Sequence, residues 1–491
     1  MVIYMIRILS DSLVENLNTI RSDLGNSSDI VIREFIIGEE EKVKAAVIYV
    51  DGLIDKDFVQ KFILKTLMIE IRKVDLRGIC SREKGWFQIL KDFSISVADI
   101  KEAEDMDSLY LSLLSGDTII LIDYSNKAFL ASSRGWQGRG IEEPTSQSLI
   151  KGPKEGFTET LRTNTALIRR RIKDTNLRIE TVVVGKRSKT EVVIAYINGL
   201  ADDKVVNEVK SRINQIDVDY VIGSSAIEEL IQDSKYSPYP TIYNTERPDS
   251  LSAGILEGRV GIIVDGTPFA MLVPALFIHF FQSSEDYYIG SLTGSFKRVL
   301  RYSAYFLTLL TPGTLVALLS FHHEMMPTTL FISIAAQRAA VPFPISIEVM
   351  LLEVMFEVLR EAAVRMPRLV GPTISIVGAL VLGQAAVEAG IFSSITIIVI
   401  AVTGIASNMS STINMGFSVA MLRFIFIFLG ATFGIPGIAI GSFINIFHLC
   451  ALKSFGTPYL SYLAPFNAPA QRDTIIRLTS GKILKVIKKK V

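Results

Sequence analysis

Between residues 369 and 452 the chain carries two charged side chains in 84 positions, Glu388 and Arg423. A soluble fold spreads Lys, Glu, Arg and Asp over its exterior, so a stretch of this length and composition has to face something other than water. A helix crossing the hydrocarbon of a bilayer needs roughly 20 apolar residues, and this stretch supplies them. The charge lies elsewhere: residues 1–250 hold 73 of the 101 charged side chains and residues 251–491 hold 28. The chain therefore reads as an α/β soluble N-terminal half followed by an α-helical polytopic membrane domain. A formal net charge of +1 supplies no basic surplus for nucleic acid. Cys80 and Cys450 fall in different halves, so no disulfide framework is expected. The opening "MVIYMIRILSDSLVENL" lacks a basic leader and a small-residue cleavage site. It reads as a first strand and not a signal peptide, which would leave the soluble half cytoplasmic.

The soluble half is repetitive. "AVIYVDGLIDKDFV" (46–59) aligns with "IAYINGLADDKVV" (194–206), pairing Tyr49, Asp51, Gly52, Leu53 and Asp55 with Tyr196, Asn198, Gly199, Leu200 and Asp202. Further on, "LSGDTIILIDYSNKAFL" (114–130) aligns with "LEGRVGIIVDGTPFAML" (256–272), pairing Gly116 with Gly258 and Asp123 with Asp265. Each copy reads as strand, turn, helix and later strand, which predicts two tandem α/β subdomains at 1–140 and 175–270. Between them, residues 141–174 form a basic linker helix with Arg162, Arg169, Arg170 and Arg171. Its basic residues form either a solvated face or a contact for assembly or lipid headgroups. The apolar run "DGTPFAMLVPALFIHFF" (265–281) is short for a span and reads as interfacial or re-entrant.

A helical transmembrane domain is expected over 271–470, with candidate spans near 300–321, 325–341, 371–388, 391–408 and 417–452. The last is interrupted at Pro436-Gly437. The tail 471–491 carries seven Lys or Arg against one Asp, and basic flanks stay cytoplasmic. Both ends on one side require an even number of crossings, four or six. Gly371, Ser375, Ala379 and Gly383 recur every four residues and form a stripe on which helices can approach closely, within one chain or between copies.

One helix breaks the apolar pattern. In "EVMLLEVMFEVLREAAVRMP" (348–367), Glu353, Glu357, Arg360, Glu361 and Arg365 fall on one arc of roughly 140°. Such a helix lies in the headgroup plane or lines a wet space. Glu361 and Arg365 have the favourable i,i+4 order for a structural pair. Glu353, Glu357 and the isolated Glu388 are the candidate ion-pathway residues, because Arg360 and Arg365 can neutralise only two of the three carboxylates on this face.

Phosphate-loop and zinc-protease motifs are absent from the sequence, as is any Cys/His cluster at metal-ligand spacing. His322-His323-Glu324 reads as a polar turn, and adjacent side chains there converge poorly on a metal. No catalytic residue, cofactor or metal is expected.

These segments, together with "EEPTSQSLIKGPKEGFTETLRTNTALIRRRI", "ERPDSLSAGILEGRVGIIVDGTPFAML", "VGALVLGQAAVEAGI" and "LKSFGTPYLSYLAPF", resemble the A subunits of GerA-type spore germinant receptors over most of the chain. The resemblance implies a multi-pass protein of the spore inner membrane that works with a transporter-like B subunit and a lipoprotein C subunit. It also implies homo-oligomers forming a nutrient-gated ion channel in contact with membrane lipid, with the B subunit usually holding the germinant. The sequence departs from the family pattern at "NMSSTIN" (408–414), which lacks a proline, and at Tyr462, where proline is common. An accessory spore-membrane channel paralogue has nearly the same pattern. A secondary transporter and a membrane-anchored scaffold are further alternatives. The helix interruptions at Pro312-Gly313 and Pro436-Gly437 favour the transporter, and the lack of a repeat in the apolar half counts against it.

Overall fold

The computed structural model describes residues 7–38, 42–71, 87, 90, 100–135, 143–144, 146–365, 383–465 and 473–477. Of the expected opening strand, residues 1–6 lie outside these, as do Cys80, Gly371, Ser375 and Ala379. Two compact units form, one built mainly from the chain up to Pro274, the other from Ala275 onward together with Asp233–Tyr243.

The first unit is a duplication. Its first copy holds α1 (Leu13–Asp23), β1 (Ile30–Ile37), β2 (Val43–Val50), α2 (Lys56–Phe58) continued by wider helical turns to Glu70, β3 (Ile100–Ala103), α3 (Met106–Leu113), β4 (Thr118–Ile122) and β5 (Ala128–Ala131). The second holds α4 (Leu161–Arg171), β6 (Leu177–Val184), β7 (Thr190–Ile197), α5 (Asp203–Asn214), α6 (Ser224–Ile231), β8 (Tyr243–Thr245), α7 (Pro248–Leu256), β9 (Val260–Val264) and β10 (Ala270–Val273). The sheets have the same strand order, β1-β2-β4-β5-β3 and β6-β7-β9-β10-β8, and the registered pairs in both are antiparallel. The central strands β4 and β9 are buried on both faces, so they read as unbroken apolar runs and hide the sheet's direction.

The matched residues do the same work in each copy. Gly52 and Gly199 turn the chain at φ 91° and 80°, a region open chiefly to glycine. Asp55 and Asp202 cap the helices that follow. Asp123 Oδ1 accepts from Leu13 N at 3.0 Å and Asp265 Oδ1 from Leu161 N at 3.1 Å. These contacts make α4 the counterpart of α1, so the basic linker helix is the first helix of the second copy. Its last three arginines are paired with carboxylates within the unit. Arg169 is fully buried and makes a bidentate pair with Asp29 at 2.6 and 3.0 Å, and Arg170 and Arg171 both bind Glu155. A solvated or lipid-facing arginine face is therefore not what forms. A buried guanidinium is tolerable only when paired in this way.

The apolar run 265–281 is not one interfacial segment. It divides into strand β10 and a buried 3₁₀ turn, Phe277–Phe281.

The second unit contains α8 (Glu285–Tyr288), α9 (Ser291–Phe321), α10 (Thr328–Arg338), α11 (Ile345–Arg365), α12 (Ser394–Ser407) and α13 (Ile413–Ala451), then the short hairpin β11 (Lys453–Ser454) and β12 (Thr457–Pro458). Among the described residues, α9 and α13 are long and apolar enough to cross a membrane, while α12 is apolar but shorter. Pro312 does not interrupt α9, which runs unbroken past it. Gly313 next to it brings backbones together: a Cβ on Gly430 would stand 2.4 Å from Gly313 O.

α13 is two helices. Gly434 leaves helical geometry at φ 64°, ψ −147°. Ser418 and Asn445 are 27 residues apart, about 40 Å on a straight helix, yet they bond adjacent residues, Pro238 O and Tyr239 OH. Ideal Cβ atoms at Gly437 and Gly441 would both meet Leu429. The helix therefore doubles back at Gly434, giving arms of about 31 and 25 Å. The chain also turns at Tyr462 with φ 75°, a value closed to proline, which accounts for the departure from the family pattern there.

Candidate functional site

Arg423 lies ten residues into the first arm of α13, about 15 Å from its start and so near its middle. It is fully buried. Nη2 is 2.8 Å from Glu353 Oε2 and 2.8 Å from Glu357 Oε1, both on α11. Glu353 is also fully buried, and Glu357 is about one-fifth exposed. Glu357 shares its other oxygen with Arg360 at 2.6 Å, and the Arg360 guanidinium stands 5.2 Å from the Phe417 ring. The four charges cancel. Helical phasing explains the assembly: positions 353, 357 and 360 stack on one face of α11, and that face meets α13 at its only Lys, Arg, Asp or Glu.

The structure thus joins two of the expected ion-pathway residues through a partner that periodicity on α11 could not supply. The signal was present in the sequence, since a lone arginine in 84 apolar positions needs a counter-charge. Glu388 is not part of this cluster; it is exposed and accepts from Gln384 Nε2 at 2.9 Å. Glu361 and Arg365 do pair, at 2.6 Å, but with side chains 57% and 78% exposed. Such a pair contributes only a few tenths of a kcal/mol. Of the small-residue stripe only Gly383 is described, and among the described residues nothing lies within 4 Å of its would-be Cβ.

Sequence reading also missed Glu348. Its carboxylate is buried and accepts from Ser393 N at 2.6 Å and Ser393 Oγ at 2.7 Å, so a side chain of α11 caps the start of α12. A second charged cluster surrounds α8. Asp286, with no exposed side-chain surface, receives Arg298 at 3.0 Å and Arg301 at 2.6 and 2.8 Å. Arg298 also reaches Asp473 at 2.8 Å. Burial pushes the Asp286 carboxyl up, but the two arginines outweigh it and hold the group below its ordinary value.

In the first unit a cavity of about 480 Å³ is lined by Asp51, Asp55, Asp57, Lys56, Arg162 and Arg170 among others. Its walls carry both signs of charge, and Lys56 already pairs with Asp51 at 2.7 Å.

The second unit inverts the usual soluble arrangement. Phe417, Ile425, Phe428, Ile440, Phe443 and Phe447 on α13 are each at least half exposed, while Arg298, Glu348, Glu353 and Arg423 are fully buried. A duplicated antiparallel-sheet unit followed by such a helical unit defines the class of this protein. The chain belongs to the Bacillus/Clostridium GerA spore germination protein family, whose profile matches residues 18–486. It is 42% identical over 471 residues to spore germination protein KA of Bacillus subtilis, covering 96% of this chain and 85% of that one. It is 40% identical to the uncharacterized membrane protein YfkQ of the same organism, covering 96% and 90%. With spore germination protein GerLA of Bacillus cereus it shares 37% identity, covering 97% and 95%. The N-terminal domain of the A subunit of the Bacillus megaterium spore germinant receptor GerK3, known from a crystal structure, matches 56% of this chain and 98% of its own at 37% identity and a TM-score of 0.43.

Proposed function

We propose that this chain is the membrane-embedded A subunit of a nutrient-responsive germinant receptor of the spore inner membrane, and that copies of it assemble into a ring that conducts cations. In this reading the soluble half and basic tail lie on the spore-core side. A transporter-like B subunit holds the germinant, and a lipoprotein C subunit completes the receptor. The observation that carries the reading is the buried Glu353–Glu357–Arg423 cluster, halfway along an arm whose length matches the roughly 30 Å hydrocarbon core, inside a unit that exposes phenylalanines. Ionised side chains at that depth are costly and belong to interiors and ion paths. The apolar exterior offers a surface for lipid and for other copies. Gly383, with open space around it, is proposed with Gly371, Ser375 and Ala379 as the contact between copies.

Solubilised in mild detergent and weighed by native mass spectrometry, the chain is expected as a closed oligomer that co-purifies with B and C subunits. A closed oligomer without them supports the accessory-channel alternative. A stable monomer that moves solute across vesicles supports the transporter, which the broken helix α13 favours, and overturns the channel.

A further inference from the structure

Eleven residues of the second sheet copy fold with the helices. Asp233–Tyr243 connects α6 to β8 in sequence but belongs to the helical unit. Six of its residues are bonded there. Asp233 Oδ2 accepts from Phe455 N at 2.8 Å. Ser237 Oγ is 2.9 Å from His448 Nε2. Tyr239 OH donates to Asn445 Oδ1 at 2.9 Å and stands 2.8 Å from Tyr305 OH. Three backbone carbonyls are taken as well: Ser418 Oγ donates to Pro238 O, Tyr459 OH to Pro240 O, and Ser454 Oγ to Thr241 O.

The distribution of these anchors is informative. Tyr305 lies on α9, Ser418 on the outgoing arm of α13, and Asn445 and His448 on its returning arm. One short segment therefore grips α9 at its middle and both arms of the α13 hairpin at once, the outgoing arm near its start and the returning arm near its end. The segment is also stiff. Pro238 and Pro240 flank Tyr239 and fix φ at their own positions, and each restricts the residue before it. Tyr239 itself is 2% exposed, with the Phe277, His448 and Tyr459 rings all within 6.5 Å of its own. A loop that only connected α6 to β8 would need none of this, and connecting segments ordinarily run over the surface.

We propose that Asp233–Tyr243 is a coupling strap, through which a change in the second sheet copy repositions α9 and the two arms of α13, with Tyr239 as its positioning residue. The proposal rests on the receptor reading for its physiological meaning. The mechanical coupling itself can be read without any germinant.

Two changes separate coupling from packing. Tyr239→Phe keeps the ring and removes the hydroxyl that links Tyr305 to Asn445. Inserting Gly-Gly between Lys235 and Tyr236, where Tyr236 is 99% exposed, leaves every bonded residue in place and adds up to about 7 Å of slack. Tyr236→Phe is the control on the same segment. Spores carrying each form as the only receptor A subunit would be given a mixture of L-amino acids and simple sugars, and potassium release followed. Both changes are expected to cut release at least tenfold at unchanged protein level, and the control to match the parent. In parallel, hydrogen exchange of the full-length chain in detergent is expected to rise at least tenfold over 435–451 in both variants. Parental release and exchange in the insertion form would overturn the strap, as would equal loss in the control. A parent that releases no potassium counts against the receptor reading instead. The strap is then decided by exchange alone.

Discussion

The arginine in "NTALIRRRI" that matters most to the first unit is the one with no exposed surface, Arg169. Charge patterning could count the basic residues of α4, but it could not say which of them faces inward. The counterpart Asp29 lies 140 residues earlier, beyond the reach of any local rule. Removing one partner of a buried pair leaves the other charged and unsolvated, at a cost of about 3–5 kcal/mol. Asp29→Ala should therefore lower the urea midpoint of the full-length chain, read by proteolysis of its N-terminal half. Glu361→Gln, which breaks an exposed pair, should leave protein level unchanged. Asp286 gives a pH signature of known sign. Its folded pKa lies below its ordinary value. The stabilisation is therefore complete above the unfolded value of about 3.9 and is lost as pH falls through the folded one. Thermal stability measured from pH 6 to 3 should drop at the acidic end, and Asp286→Asn should flatten that part of the curve.

At the scale of elements, the duplication was legible because the residues that repeat are the ones backbone geometry restricts. Gly52 and Gly199 hold positive φ, and Asp55 and Asp202 cap helices. Sheet direction was not legible, since strands buried on both faces show no alternation. The break in α13 was legible as Pro436-Gly437, but its consequence was not. A proline marks where a helix is interrupted, while the reversal comes from Gly434, two residues earlier, with φ 64°. The close approach of α9 and α13 rests on Gly313 and Gly430, which no small-residue repeat in the sequence singled out. A methyl group at Gly430 would collide with Gly313 O. Helices cannot shift locally without disturbing the hairpin, so Gly430→Ala should cost about 1–3 kcal/mol and lower the amount of detergent-stable protein. Gly383→Ala meets nothing within 4 Å among the described residues. It should leave the fold intact, and if it disturbs anything it should disturb association between copies.

Over the whole helical unit, contacts fix the direction of each passage. Gly313 lies beside Phe426 and His322 beside Gly434, so α9 and the first arm of α13 run the same way. Glu353 faces Arg423 and Arg360 faces Phe417, so α11 runs against that arm. Glu348 meets Ser393 and Phe356 meets Gly404, so α12 runs with α11. The second arm of α13 also returns. α11 finishes beside the start of α13, whereas Gly390 lies against Ala340, near the start of α11. In this arrangement α11 turns Glu353 inward against Arg423, while Leu351, Val354 and Val358 on the same helix are exposed.

The proposed conduction path then makes a signed prediction. Glu353, Glu357, Arg360 and Arg423 sum to zero in each copy, so a ring of copies carries no collar charge while all four remain together. Arg423→Gln leaves one surplus negative charge per copy, and Glu357→Gln leaves one surplus positive charge. Rings of fixed charge select the opposite ion. Reversal potentials in planar bilayers under a potassium chloride gradient should therefore shift toward cation preference in Arg423→Gln and toward anion preference in Glu357→Gln. Glu353→Gln makes the same charge change as Glu357→Gln but in a fully buried site, so it should lower protein level more. If neither Arg423→Gln nor Glu357→Gln moves the reversal potential in the stated direction, the cluster lies off the ion path. It would then serve only to hold α11 against α13.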